Sequence, residues 1–376
     1  MGVMVGHIFQ FHENLPAGFW GRFAIGTLDV GALGVPLFFV ISGFCIHLSW
    51  ARKAAASAGL SEPLDEAEAR RVVAQTPAPA FGSFWKRRFR RLYPPYLAGK
   101  STLTIESYPE PRGRWMLWDF VLHLFMLHGF HPSFNYGGGN AVYWTLAREE
   151  FFYLGYFPLL AARRRWGLVP CLIGLSLLSV VFPVALGFGG TNREGGGWAN
   201  IVHTSVPTLW IQWALGMASV EAYFGLIRLP SWAGRPRLGV LWLGLGVGSR
   251  WGLQLNPHLG LQLAEPLCIG LGFWTLLNWG VRREQAGVWQ PSSPRLRALA
   301  KWLAATGVIS YSIYLTHQPA RAALRLLSGS IGASTQPLIF FGVSIAWCLG
   351  AYGVWDRFLQ PGRAPLPQLA DEGLVA

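Results

Sequence analysis

Long runs of apolar residues, almost free of charge, recur along this chain and constrain it more than any other feature. They fall at roughly 31–50, 143–162, 166–188, 205–225, 238–255, 261–281, 302–323 and 337–358. Each is about 20 residues long, the length a helix needs to cross a bilayer. A backbone in lipid must satisfy its own hydrogen bonds, so such runs are read as spanning helices. Residues 1–12 look like the tail of a further span, cut short. Two soluble domains would fit the length of 376 residues, but 52% hydrophobic against 13% charged residues, with 19 Trp, excludes them. The expectation is an all-α polytopic membrane protein: one membrane domain over 1–360, a tail over 361–376 and no internal repeat.

Between 92 and 142 the pattern blurs. Tyr93 to Ile105 begins as a span but is eroded by Lys100 and Glu106. Trp115 to Phe130 is short and carries His123 and His128. Charge sets the orientation. Segments 51–91, 163–165, 226–237, 282–301 and the tail from 356 hold 22 of the 31 Lys and Arg, against 7 in the opposite loops and span ends. Basic residues are retained on the cytoplasmic side, so these segments are expected there. Parity then asks for one crossing between 92 and 142, giving about ten crossings with both ends cytoplasmic. The same retention explains the net charge of +13 without nucleic acid, for which no basic stripe exists outside the loops. Residues 52–83 form the longest polar loop. Within it, Leu60 to Val73 fits either a short amphipathic helix on the membrane surface or a flexible loop. Cys45, Cys171, Cys268 and Cys348 lie in apolar runs without CxxC spacing, so buried apolar roles are expected and no disulfide framework or metal site.

Four stretches depart from generic lipid-facing helix. In Gly34 to Phe44, the small residues Gly34, Ser42 and Gly43 suit close helix packing. Phe84 to Pro94 packs five cations into six residues at a membrane boundary. That cluster serves either as a topological anchor or as a site for a phosphorylated ligand, whose oxygens match arginine forks. Trp144 to Tyr153 opens an apolar span with Glu149 and Glu150. Carboxylates at that depth are costly and are paired or functional. Successive helical residues point about 100° apart, which predicts one facing the bundle and the other the headgroups. An interfacial ion pair with Arg148 is the alternative. In Ile309 to His317, Tyr311 and Tyr314 share a helical face, and Ser310 and His317 share a similar one. That stripe lines a polar cavity or hydrogen-bonds between helices. Among the histidines, His7 sits in an apolar run with His12 following. A neutral imidazole is suited to take a hydroxyl proton near pH 7. His7, His12, His123, His128 and His203 show no metal-ligand spacing.

Taken in order, these stretches resemble acyltransferase family 3. That family shows a GVxLFFVxSGFxI-like helix, an FxxRRxxRLxP-like basic segment, a WSLxxExxFY-like segment and an SYSxYLxH-like late helix. The matches here are Gly34 to Ile46, Phe84 to Pro94, Trp144 to Tyr153 and Ser310 to His317. The resemblance implies a bacterial inner-membrane enzyme. It would move an acyl group, commonly acetyl, from a CoA thioester to a hydroxyl of an extracytoplasmic glycan or glycolipid. It further implies His7 as catalytic base with His12 in reserve, and Glu149 at the acidic position. Arg87, Arg88 and Arg91 would hold the donor, and Ser42, Tyr311, Tyr314 and His317 would line the substrate cavity. Acyl-CoA enters as co-substrate, with no tightly bound cofactor and no metal, and membrane lipid and the glycan are the other partners. Two departures matter. The Arg expected ahead of the early His is missing, since only six residues precede His7. The span after the basic segment is also eroded. Besides the enzyme, a transporter and an inactive relative acting as a partner remain competing readings. A transporter is expected to show repeated halves.

Overall fold

The computed structural model describes residues 33–59, 63–98, 112–136, 140, 142–191, 197–255, 261–288, 293–327, 346 and 350. Among them the chain is helix and turn, with no strand. The helices are α1 (Gly34–Ala58), α2 (Glu66–Gln75), α3 (Phe81–Ala98), α4 (Arg112–Leu124), α5 (Pro132–Asn135), α6 (Tyr143–Trp166) and α7 (Leu168–Ala185), followed by α8 (Gly197–His203), α9 (Val206–Tyr223), α10 (Pro236–Leu255), α11 (Glu265–Gln285) and α12 (Pro294–Leu327). Helices α1, α6, α7 and α9 to α12 fall on expected spans. The partial span at 1–12 lies outside the described residues, as does almost all of 337–358.

Two helices, α1 and α7, are long and apolar enough by themselves to cross a bilayer. On α7, Val169, Ile173, Leu177, Val181 and Val184 are each more than half exposed. Their near four-residue spacing draws one apolar row along the outside of the helix. Water would not tolerate so long a row, and lipid would. Both features are consistent with a helical membrane protein.

Helix α9 is the axis of the bundle, with nearly every residue from Thr208 to Glu221 buried. It packs on α1, α7 and α11. The approach to α1 is set by glycines. A methyl on Gly43 would collide with the Trp213 carbonyl oxygen, and one on Gly216 with that of Val40. Helices α10 and α11 use the same device, Gly272 facing Leu243 and Gly246 facing Ile269. The small residues of the first motif therefore do pack helices, as their composition suggests.

The four described basic segments meet at one end of the bundle. The Leu64 amide donates to the Gly225 carbonyl (2.9 Å) and Arg228 to that of Pro63 (2.9 Å). Arg164 donates to the Thr76 carbonyl, Gln285 to that of Tyr223 (3.1 Å), and the Arg282 guanidinium lies over Gly234. Helix α2 belongs to this end. A capping box starts it, Asp65 accepting from the Glu68 amide (2.8 Å) while Glu68 accepts from the Asp65 amide (3.3 Å). The expected surface helix is thus later than 60–73, and it covers protein rather than lying free on lipid. Its Ala69 and Val73, one turn apart, are buried, against α1 and α6. Helix α3 continues through Pro94 and Pro95 to Ala98, and the eroded stretch from 99 to 111 lies outside the described residues.

Candidate functional site

The close α1–α9 contact fixes which face of α1 meets α6. Ser42 on that face donates its hydroxyl to Glu149 Oε1 at 2.7 Å. Tyr153, one turn along α6, donates to the same oxygen. The first and third sequence motifs are therefore one unit, with Glu149 at its centre. The expectation that only one of the two carboxylates turns inward is corrected: Glu149 and Glu150 are each 4% exposed. They do diverge by about 100°, but α6 is covered on both sides. Glu150 faces α3, where Arg88 and Tyr93 feel its charge. Its Oε1 has no hydrogen-bond partner among the described residues. Arg148 takes a third direction. It donates to the Thr204 carbonyl (2.6 Å), to Thr204 Oγ1 and Asn135 Oδ1 (both 3.4 Å), and packs on Gly129. The alternative of an Arg148–Glu pair at the headgroups gives way to a buried Arg148 that braces the opposite loops.

The second motif supplies cations to this centre unequally. Arg88 is half-buried, its guanidinium 3.3 Å from the Phe84 ring centre and 5.2 Å from that of Tyr153, with Nη1 donating to the Phe84 carbonyl (3.0 Å). Burial lowers its pKa from the ordinary arginine value. Its stem and head are thus used by the fold. Arg87 and Arg91, one turn apart, are exposed. Arg88 and Arg91 both act electrostatically on Glu149, and Arg91 also on Cys45 and Tyr311. Cys45 is exposed, against the expectation that every cysteine is buried, whereas Cys171 and Cys268 are buried as expected. Cys348 lies outside the described residues.

The fourth motif joins the second and third by hydrogen bonds between helices. The Tyr311 hydroxyl donates to the Leu92 carbonyl (3.1 Å). That of Tyr314 donates to the Val142 carbonyl (3.0 Å) and lies 2.6 Å from Thr145 Oγ1. Asn140 donates to the Leu315 carbonyl (2.8 Å). His317 is buried and turns Nδ1 back to its own helix, 2.8 Å from the Tyr314 carbonyl. Ser310 is exposed and donates to Gly307, so it does not share the buried face of His317. His7 and His12 lie outside the described residues.

Two polar groups escaped the sequence reading. His47 directly follows the first motif and is fully buried. Its Nδ1 lies 3.0 Å from the Tyr156 hydroxyl and its Nε2 3.2 Å from Glu221 Oε1. Arg163 grips the same Glu221 through two nitrogens, the shorter contact 2.8 Å. The signal was present: Glu149, Tyr156 and Arg163 recur every seven residues and so share one stripe of α6. The second group is Asp119 with His123 and His128. Asp119 and His123 have the spacing of helical neighbours, and only the chain reversal after α4 brings in His128.

Fold and site thus define a helical membrane protein with a buried carboxylate beside a cationic helix. The chain belongs to acyltransferase family 3: the family's acyltransferase domain matches residues 1–355. It is an acyltransferase. No curated protein and no solved structure matches it.

Proposed function

We propose that the protein is a membrane-embedded O-acyltransferase of the bacterial inner membrane. It moves an acyl group, commonly acetyl, from a CoA thioester to a hydroxyl of an extracytoplasmic glycan or glycolipid. The observation that carries this reading is the junction at Glu149. Ser42 and Tyr153 hold its carboxylate, the charges of Arg88 and Arg91 act on it, and Tyr311 lies within their range.

The gathered basic end faces the cytoplasm in this reading, where the donor is found, with both termini on that side and about ten crossings in all. Arg87 and Arg91 offer exposed forks to the donor's phosphates, and Arg88 supports them from its aromatic bed. An imidazole takes the proton of the acceptor hydroxyl, the oxygen attacks the thioester carbonyl, and the carbon–sulfur bond breaks. The family resemblance gives the imidazole's part to His7, with His12 in reserve. Tyr311, Tyr314, Ser42 and His317 shape the cavity wall, and no tightly bound cofactor or metal is needed.

The test compares surface-glycan acylation between the wild-type strain and one lacking this gene, complemented in trans. Loss of acylation restored by complementation is expected. Unchanged acylation would favour the transporter or the inactive-partner reading.

A further inference from the structure

One fully buried imidazole joins three helices and has no part in the reaction described above. His47 on α1 lies 3.0 Å by Nδ1 from the Tyr156 hydroxyl on α6, and 3.2 Å by Nε2 from Glu221 Oε1 on α9. The Glu221 carboxylate, ion-paired with Arg163, accepts only. Nε2 therefore carries its proton toward Glu221, and Nδ1 of the neutral ring accepts from Tyr156. Glu221 does not need the imidazole, because Arg163 already donates to both of its oxygens, at 3.2, 3.1 and 2.8 Å. Core packing does not need it either. A leucine would fill an interior position without polar atoms to satisfy. What the ring supplies is a hold on Tyr156 and a stack on Trp50, their ring centres 4.8 Å apart.

Both contacts lead to α3. The Tyr156 ring lies along that of Phe84, centres 5.7 Å apart and 17° from parallel, and Phe84 is the ring on which Arg88 rests. The Trp50 indole donates to the Pro77 carbonyl (3.1 Å). Pro77 and Pro79 fix φ in the short link from Thr76 to α3, so holding Pro77 holds the start of that helix. Neighbouring contacts between α3 and α6 are ring on ring, with Phe81 and Phe84 against Phe157 and Trp85 against Tyr153. Burial of apolar rings is favourable but not directional. The hydrogen bond from Tyr156 to His47 is directional, and it gives the layer a fixed point.

We propose that His47 is a positioning residue: through Tyr156 and Trp50 it fixes where α3 lies on α6, and so where the donor's arginines stand. Arg87 and Arg91 are carried on the exposed side of the same helix, and a shift of α3 displaces both. The role of His47 is geometric, and the proton transfer stays with the early-helix imidazole. The inference rests on the donor reading of α3 for its consequence, and on the contacts of His47, Tyr156 and Trp50 for its geometry.

The experiment uses the full chain, purified in detergent, and reads amide hydrogen exchange beside equilibrium binding of acetyl-CoA. His47→Phe keeps a ring on Trp50 but removes both hydrogen bonds. It should speed exchange in segment 76–92 while leaving α10 unchanged, and weaken acetyl-CoA binding about 3- to 10-fold, the effect of one hydrogen bond. His47→Gln, whose amide can donate to Glu221 and accept from Tyr156, should fall between that variant and wild type. Unchanged exchange in 76–92 overturns the proposal, whatever the affinity. Faster exchange throughout the bundle, α10 included, also overturns it, as does a Gln variant no better than Phe, since either result makes His47 a packing residue only. Faster exchange in 76–92 with unchanged acetyl-CoA affinity supports the hold on α3 and counts against the donor reading of its arginines. If His47→Phe fails to accumulate, Tyr156→Phe decides. It removes one hydroxyl, keeps the ring on Phe84 and should loosen the same segment, and wild-type exchange there overturns the assignment.

Discussion

The Ser42 hydroxyl donates to Glu149 Oε1 at 2.7 Å, tying a small-residue helix to an acidic one across 107 positions of sequence. Both oxygens of the contact are buried, and Tyr153 donates to the same carboxylate oxygen. The first motif thus has two functions, one in each of two adjacent residues. Gly43 brings α9 close, and Ser42, turned by one residue, reaches α6.

Glu149→Gln keeps volume and hydrogen-bonding capacity but removes the charge that Arg88 and Arg91 face. The variant is expected to insert and fold while losing at least about tenfold in acyl transfer. Glu149→Ala should lose stability as well, because it strands two buried hydroxyls at about 1–3 kcal/mol each. Transfer rate and thermal unfolding in detergent separate the two effects. Wild-type transfer by Glu149→Gln would remove Glu149 from the site.

Gly43→Ala and Gly216→Ala should both lower the unfolding temperature. The added methyl meets a backbone carbonyl oxygen of the facing helix, which no rotamer change can relieve. Overpacking of this kind costs about 1–3 kcal/mol or more. Gly174→Ala is the control: nothing lies within 4 Å of its added methyl, and alanine favours helix. Equal thermal shifts for all three would mean that the α1–α9 contact is looser than described.

At the basic end, Arg163 and Glu221 form a buried ion pair, with His47 Nε2 3.2 Å from the same carboxylate. Removing one partner leaves the other desolvated without compensation. Arg163→Met or Glu221→Leu alone should each cost about 3–5 kcal/mol. The double replacement should recover much of that loss, since it buries no unpaired charge. If the double variant is as unstable as the sum of the singles, the pair is not coupled as the distances imply.

Much of the bundle was legible because burial in lipid leaves a crude signal. The apolar runs located α1, α6, α7 and α9 to α12. The arginines predicted which loops share an end, and the Leu64–Gly225 and Arg228–Pro63 contacts bring those loops together. The site was legible in its members but not in its pairings. Glu149 stood out as a carboxylate in an apolar run, yet nothing local says that Ser42 is its partner. Glu150 was misplaced because a helical wheel shows direction and not what covers that direction. His47 and Glu221 passed unnoticed because each is a single polar residue within an apolar run, and only α6 between them makes a cluster. The Asp119–His123 spacing was visible, but the reversal at Met126 comes from tertiary packing.

Reporter fusions near residues 60, 165, 232 and 290 should all report the cytoplasm. The expectation follows from the shared end and from the 22 to 7 excess of Lys and Arg in these segments and the tail together. Opposite signals from the 163–165 and 282–297 loops would contradict both the charge rule and the run of contacts Arg164–Thr76, Arg228–Pro63 and Gln285–Tyr223 that places them at one end.

The donor site can be dissected along α3. The basic motif alone does not rank its arginines, whereas the structure divides them. Arg88 lies on Phe84 and Tyr153 and serves packing, while Arg87 and Arg91 are exposed, Arg91 within range of Glu149. Replacing Arg87 and Arg91 together with Gln should therefore weaken CoA-thioester binding at least about tenfold, the loss of roughly one charge-assisted hydrogen bond, with little change in unfolding temperature. Arg88→Gln should instead lower the unfolding temperature along with binding, because it removes a cation from an aromatic bed and leaves Tyr153 less well packed beside Glu149. Raising the salt concentration should weaken wild-type binding and have less effect on the Arg87, Arg91 double variant, whose attraction to phosphate has been reduced. Equilibrium binding of acetyl-CoA to purified, folded protein measures all three. Unchanged affinity in the double variant would make the cluster a topological anchor, and the donor's phosphates would then have to be held elsewhere.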